Sequence, residues 1–282
     1  MDIESYLAEK RKIIELRLAR VFSGGDKYLA PLDEAINYSL FSGGKMVRAI
    51  LVLASGDAVS GTNEAVLNAA AAVEMVHTYS LIHDDLPSMD NDDFRRGKPS
   101  NHKVFGESIA ILTGDALLTR AFSVLTDRGI NPNIDPDRCM DLVYELSLAA
   151  GGSGMVGGQT VDVVNQGRDL DLKTVEYIYK NKTGALIRGA VRLGAIAAGA
   201  KDDQLLSLTN YGEKIGFAFQ IVDDILDIDG NEKNTYPFIL GMEKAGEIGE
   251  GLVDEAIDSL RGFDEKADPL RMIARFLRER RN

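Results

Sequence analysis

Residues 205–228 read LLSLTNYGEKIGFAFQIVDDILDI, and this stretch decides the fold. Leu208, Tyr211, Ile215, Phe219, Val222 and Leu226 recur at three- and four-residue steps, so a helix gathers them into one apolar stripe. Beside it Gly216, Gln220, Asp223 and Asp227 stand at i, i+4, i+7 and i+11, a polar stripe opened by a glycine. A solvated helix face normally mixes signs. No Lys or Arg lies between Phe217 and Ile228, which weighs against an ordinary solvated face and toward a functional one.

The same texture continues outward. Residues 67–82 and 109–125 are long runs rich in Ala, Leu and Ile, and alternating strand patterns are hard to find. No proline interrupts the chain between Pro136 and Pro237, and Asn131-Pro132-Asn133-Ile134-Asp135-Pro136 reads as a loop before another helix. Neither a compositional break nor a flexible linker marks a boundary. The expected architecture is a single all-α domain over residues 1–282, long enough to bury a substantial core.

The net charge of -12 argues against nucleic acid or an anionic membrane surface as partner. An anionic substrate therefore needs locally concentrated Lys, Arg or metal. The single Cys139 excludes an internal disulfide and fits a reducing compartment. Met1-Asp2-Ile3-Glu4 begins acidic with no apolar signal core, and no uncharged stretch reaches membrane-spanning length. The expectation is a cytoplasmic protein without stable membrane association.

A second acidic cluster, Asp84-Asp85-Leu86-Pro87-Ser88-Met89-Asp90, lies about half the chain before Asp223-Asp224-Ile225-Leu226-Asp227. Six carboxylates in apolar surroundings repel one another and resist desolvation unless cations join them. Their hard oxygens suit Mg²⁺, with Mn²⁺ as the alternative. Because Mg²⁺ is usually held by one or two carboxylates and completed by phosphate oxygens, the pattern points to a phosphorylated ligand between two acidic walls. His77, Ser80 and Asp84 share one helix face at i, i+3 and i+7. Pro87 disfavours helix at Leu86, so the chain turns and Asp90 folds back toward Asp84.

Basic residues supply the complement. Ser42-Gly43-Gly44-Lys45-Met46-Val47-Arg48 places a Gly-Gly turn and two cations where a helix begins, an arrangement that suits an anion. Arg95-Arg96-Gly97-Lys98 follows the first acidic cluster, and arginine forks match diphosphate oxygens. Lys182-Thr183 and Lys233 are further candidates. The glycine-rich Gly151-Gly152-Ser153-Gly154-Met155-Val156-Gly157-Gly158-Gln159 lacks the Lys-Ser/Thr of a nucleotide loop and reads as close helix packing or a kink.

Asp84-Asp85-x₄-Asp90 followed by Arg95-Arg96-Gly97-Lys98-Pro99, then Gly158-Gln159-x-x-Asp162, Lys182-Thr183 and Phe219-Gln220-x-x-Asp223-Asp224-x-x-Asp227, together resemble the trans-isoprenyl diphosphate synthases, in particular the bacterial farnesyl and geranylgeranyl diphosphate synthases. The ordered set covers nearly the whole chain. Class I terpene cyclases share the first motif but carry a different second one, absent here. The resemblance implies an all-helical bundle around a deep cavity, a homodimer and three Mg²⁺ ions. It assigns Asp84, Asp90 and Asp223, with Asp85, Asp224 and Asp227, to metal. It assigns Arg95, Lys182, Thr183, Gln220 and Lys233 to the allylic diphosphate and catalysis, and Gly44, Lys45, Arg48, His77 and Arg96 to isopentenyl diphosphate. It also makes Tyr79, followed by Ser80, the floor that ends chain growth. The implied product is farnesyl diphosphate, with geranylgeranyl diphosphate as the alternative. The rival of another class is a non-catalytic synthase-like regulatory subunit. Between Gly230 and Thr235 the chain is shorter than the resemblance implies, and a Gly-Lys pair expected there is missing.

Overall fold

The computed structural model describes residues 2–24, 26–130, 134–226 and 233–279. In chain order these form α1 (Ile3–Val21), a 3₁₀ turn, α2 (Ala30–Leu40), α3 (Val47–Val59) and α4 (Glu64–Asp84). A two-residue hairpin follows, β1 (Phe94–Arg95) and β2 (Lys98–Pro99), then α5 (Asn101–Phe105), α6 (Glu107–Thr126), α7 (Pro136–Ala150), α8 (Met155–Val164) and α9 (Leu172–Ile178). A π-helical turn at Tyr179–Gly184 leads into α10 (Ala185–Ala198), and α11 (Asp202–Leu226), α12 (Tyr236–Leu240), α13 (Met242–Ser259) and α14 (Asp268–Glu279) complete the bundle. The all-α expectation holds; β1 and β2 are the strands among the described residues.

Local signals set the helix ends. Asn63 caps α4 by accepting from the Val66 N–H at 3.0 Å, and Pro136 opens α7, where its missing N–H costs nothing. Three helices form the centre. In α3 and α4 the small and aliphatic residues are buried on nearly every side, so these two lack a clear polar face, whereas α10 keeps a narrow one at Arg188 and Arg192. Each fully buried Leu or Val there stabilises the fold by about 1.5–3 kcal/mol relative to exposure. Helix α10 lies so close to α3 that a Cβ on Gly194 would stand 2.1 Å from the Val52 carbonyl oxygen. The stripe on α11 behaves as its spacing predicts: Leu208, Tyr211 and Ile215 are buried. The Tyr211 hydroxyl ties α11 to α14 by donating to the Leu270 carbonyl at 2.7 Å.

Helices α4 and α6 are each long and apolar enough to cross a membrane. For α4 the reason is its central place in the bundle, 78% of its apolar window being buried; α6 is only 39% buried. Gln220 and Asp224 of α11 and the C-terminal end of α4 border cavities that α8 and the π-helical turn help to line.

Candidate active site

The first acidic wall grows from the way α4 stops. Asp85 caps the helix, its N–H donating to the Leu81 carbonyl at 3.1 Å, and the chain turns before Pro87 as expected. It doubles back at once: the Asp90 N–H reaches the Asp84 carbonyl at 2.9 Å, and the Asn91 N–H reaches the Leu86 carbonyl at 3.1 Å. The Asp84 carboxylate accepts from Gln159 Nε2 of α8 at 3.1 Å. Burial pushes its pKa up to about 6; Lys182 opposes that push, while Asp90 and Asp85 add to it. A carboxylate held this way gains from a cation.

Asp85, expected in a supporting role to the metal carboxylates, pairs with a guanidinium. It is buried and accepts from Arg95 Nε at 2.8 Å and from Nη2 of the same guanidinium. Arg95 also donates to Asp92 at 2.8 Å. Both acceptors share the guanidinium that the sequence offered to a diphosphate. Arg95 therefore braces the acidic turn against the β1–β2 hairpin.

The second wall shows the same division. Asp223 lies within electrostatic reach of Arg48, across the interior from α11. Asp224 sits about 100° further round the helix and is buried. It accepts from the Tyr179 hydroxyl and, at 2.9 Å, from Gln220 Nε2. Gln220 Oε1 in turn accepts from Thr183 Oγ1 at 2.8 Å. So Asp224 anchors the π-helical turn from the border of the second cavity. Asp227 lies outside the described residues, as does most of the shortened junction before Thr235.

The π-helical turn sets Lys182 and Thr183 between two cavities. One, of about 450 Å³, is bordered by Arg48, His77, Tyr79, Ser80, Asp84, Met155 and Val156. The other, of about 390 Å³, is bordered by Asp162, Gln220, Asp224, Lys233 and Thr235. Lys182 and Thr183 line both. Lys182 Nζ is fixed by Asp162 at 2.6 Å. The glycine-rich run explains how α8 comes so near: a Cβ on Gly158 would lie 2.0 Å from the Lys182 amide nitrogen. Lys233 is exposed and 3.7 Å from Asp169.

A basic pocket occupies the far side of the first cavity. Gly43 (φ 85°) and Met46 (φ 47°) shape the turn into α3, and no side chain caps that helix start. Arg96 (φ 54°) and Gly97 (φ 75°) form the tight hairpin turn, both central residues in the left-handed region. The two turns meet: a Cβ on Gly44 would stand 2.6 Å from Arg96 Cζ. Arg48 Nη1 lies 3.4 Å from His77 Nε2. Burial, reinforced by Arg48, Arg96 and Arg95, drives His77 well below the usual imidazole range, so it is neutral. Lys45 is exposed. Among the described residues the non-glycine positive φ angles are at Met46, Asn91 and Arg96, all beside these sites, where strain of this kind concentrates.

The Polyprenyl synthetase family pattern matches residues 30–236. The chain belongs to the polyprenyl synthetase family. It is 42% identical over 299 residues to the heterodimeric geranylgeranyl pyrophosphate synthase large subunit 1, chloroplastic, of Arabidopsis thaliana, covering all of this chain and 80% of that protein. It is likewise 42% identical over 296 residues to a geranylgeranyl diphosphate synthase of Cyanophora paradoxa, covering 100% and 97% of the two chains. The crystal structure of an FPP/GFPP synthase from Zymomonas mobilis superposes with a TM-score of 0.89 at 39% identity, covering 97% of this chain and 98% of that one. This polyprenyl synthetase is an enzyme, a prenyltransferase. Its donor set fits Mg²⁺: Asp84 and Asp90 offer crowded carboxylate oxygens. Among the described residues no three His, Cys, Asp or Glu stand together as a metal site. Sequence reading quoted Gln159 and Asp162 within a motif without giving either a role, and passed over Tyr179. The spacing Gly158-Gln159-x-x-Asp162 was the available signal for the first two, since i and i+3 share a helix face.

Proposed function

We propose that the synthetase condenses isopentenyl diphosphate with a short allylic diphosphate to give a short-chain prenyl diphosphate. One observation carries this reading. An apolar cavity bordered by Tyr79, Met155 and Val156 opens directly beneath Asp84, Lys182 and Thr183, so a hydrocarbon tail and a diphosphate each find matching surroundings. Arg48, Arg96 and neutral His77 bind isopentenyl diphosphate, with Lys45 at the rim. Lys182, aimed by Asp162, and Lys233 bind the allylic diphosphate, for which Asp84, Asp90 and Asp223 would hold Mg²⁺. When bound, Mg²⁺ supplies Lewis-acid stabilisation of the departing diphosphate. The Thr183 hydroxyl donates its hydrogen bond to Gln220, leaving its lone pairs toward the allylic carbons as positive charge develops. The apolar lining excludes the water that would trap the cation. The double bond of isopentenyl diphosphate then attacks the allylic carbon to form the new C–C bond. The tertiary cation so produced loses a proton to the departed diphosphate, since no protein base is evident among the described residues.

The geometry favours fifteen carbons. Tyr79 is 6% exposed, its ring 5.7 Å from that of His83, and it stands on the cavity wall five residues before Asp84. Five residues of helix is about 7.5 Å of depth. The names of the Arabidopsis and Cyanophora relatives favour the second reading, twenty carbons. Chromatography of dephosphorylated products separates them. Wild type is expected to yield mainly farnesol, and Tyr79→Ala is expected to shift the product to twenty carbons or more. Geranylgeraniol from wild type, or unchanged length in the variant, would remove Tyr79 as the floor.

We further propose that the synthetase works as a homodimer joined through α6 and α7. Ile111 and Leu112 of α6 are 44% and 53% exposed, and Met140 and Tyr144 of α7 are 70% and 66% exposed, on adjacent helices. Apolar side chains gathered like this mark an interaction surface. Sedimentation velocity should give twice the 30.7 kDa chain mass, and Leu112→Asp with Met140→Asp should halve it. A wild-type monomer at micromolar concentration would refute the dimer.

A further inference from the structure

The loop between α8 and α9 and the segment before α12 both border the second cavity, through Leu170 on one side and Lys233, Asn234 and Thr235 on the other. Asn234 joins them with both ends of its side-chain amide. Its Oδ1 accepts from the Leu170 N–H at 2.9 Å, and its Nδ2 donates to the Arg168 carbonyl at 2.8 Å. One side chain thus satisfies a backbone donor and a backbone acceptor 64 and 66 residues away. The same two stretches share the Lys233–Asp169 ion pair, 3.7 Å long and with both side chains mostly exposed. An exposed pair of that length contributes little, so the amide holds the loop and the ion pair does not. Further along, the segment is fixed at Tyr236, which is buried. The Tyr236 N–H donates to the Tyr179 hydroxyl at 3.3 Å, and the Tyr236 hydroxyl donates to Glu176 at 2.8 Å.

We propose that Asn234 is a positioning residue for the allylic diphosphate: it latches the α8–α9 loop to the segment that carries Lys233 and so fixes that lysine at the edge of the second cavity. This rests on the allylic role given above to Lys233. A lysine ammonium rides on a long flexible stem, so its grip on a diphosphate depends on how firmly the backbone beneath is held. Tyr236 holds the chain three residues further on; Asn234 holds it at the adjacent residue. Without the latch, Lys233 and the loop must lose their freedom at the moment the diphosphate binds, which weakens binding. Asp169 competes with the diphosphate for the lysine, but an exposed partner is easily displaced. The loss falls on the allylic site alone, because the isopentenyl pocket is built by α3, α4 and the hairpin turn at Arg96.

The test is Asn234→Ala, which removes both bonds at a half-buried position outside the helices and leaves the bundle intact. Hydrogen exchange in a peptide spanning residues 168–172 is expected to quicken several-fold, because the Leu170 N–H loses its acceptor. The KM for the allylic diphosphate is expected to rise roughly tenfold, the worth of one or two neutral hydrogen bonds, with kcat and the isopentenyl KM little changed. A side chain that only supported the fold would shift both KM values together. In a Lys233→Ala background the effect of Asn234→Ala on the allylic KM should largely vanish. Unchanged exchange would overturn the latch. An allylic KM that does not rise, a rise shared by both substrates, or a full effect in the Lys233→Ala background would overturn its action through Lys233. Calorimetric titration of wild type with geranyl diphosphate and Mg²⁺ needs no turnover. Failure to bind there would overturn the proposed function, while the exchange comparison would still decide the latch.

Discussion

Asp84→Asn is expected to lower turnover by roughly a hundred- to thousandfold, the cost of removing one group that stabilises charge developing in a transition state, and Asp223→Asn should do the same. The substitution retains size, and the new amide can still face Gln159, so the packing at the end of α4 is undisturbed. What it removes is the charge whose burial already pushes the Asp84 pKa up to about 6. Burying a neutral amide costs less than burying a carboxylate. The melting temperature should therefore stay level or rise slightly while activity collapses. That opposite movement distinguishes a lost metal carboxylate from a damaged fold. Excess chelator should silence the wild type to a similar extent, with Mg²⁺ restoring it. Near-normal turnover by either variant, or by wild type in chelator, would refute ionisation assisted by metal.

Gly158→Ala tests the scaffold instead. The added Cβ meets the Lys182 amide nitrogen at 2.0 Å and its Cα at 2.6 Å, and backbone cannot yield as a flexible side chain can. Either α8 or the π-helical turn must retreat, carrying Gln159 away from Asp84 or Lys182 and Thr183 away from the cavities. Overpacking of this kind costs about 1–3 kcal/mol, or roughly 2–4 °C of melting temperature per kcal/mol. The catalytic loss is expected to be larger, about a hundredfold, because a displacement near 1 Å suffices for that. Gly251→Ala on α13 is the control: a Cβ there meets nothing within 4 Å, so stability should hold or improve slightly. Equal behaviour of the two variants would mean the α8 contact does not position the site.

The helices were legible because their apolar residues recur at the helical period, and α11 shows this best: Leu208, Tyr211 and Ile215 are buried as their spacing requires. The turn at Pro87 was legible too, since proline restricts the residue before it. The partners of individual acids were not. Asp223 and Asp224 differ by one residue, and nothing in the sequence says that Tyr179 waits for Asp224 from another element. Arg95 and Asp85 are ten residues apart, joined by a hairpin whose left-handed Arg96 has no strong sequence signature.

The π-helical turn at Tyr179–Gly184 makes this active site sensitive to the count of its residues as well as to their identity. An ordinary helix advances about 100° per residue; the wider turn holds one extra residue without extending the helix in proportion. Deleting a single residue there would let the chain relax into straight α-helix and lose no backbone hydrogen bonding. The polypeptide would gain regularity, yet every side chain beyond the deletion would be rotated relative to α8. A lineage that shed that residue would retain a well-folded bundle whose lysine no longer met its aspartate.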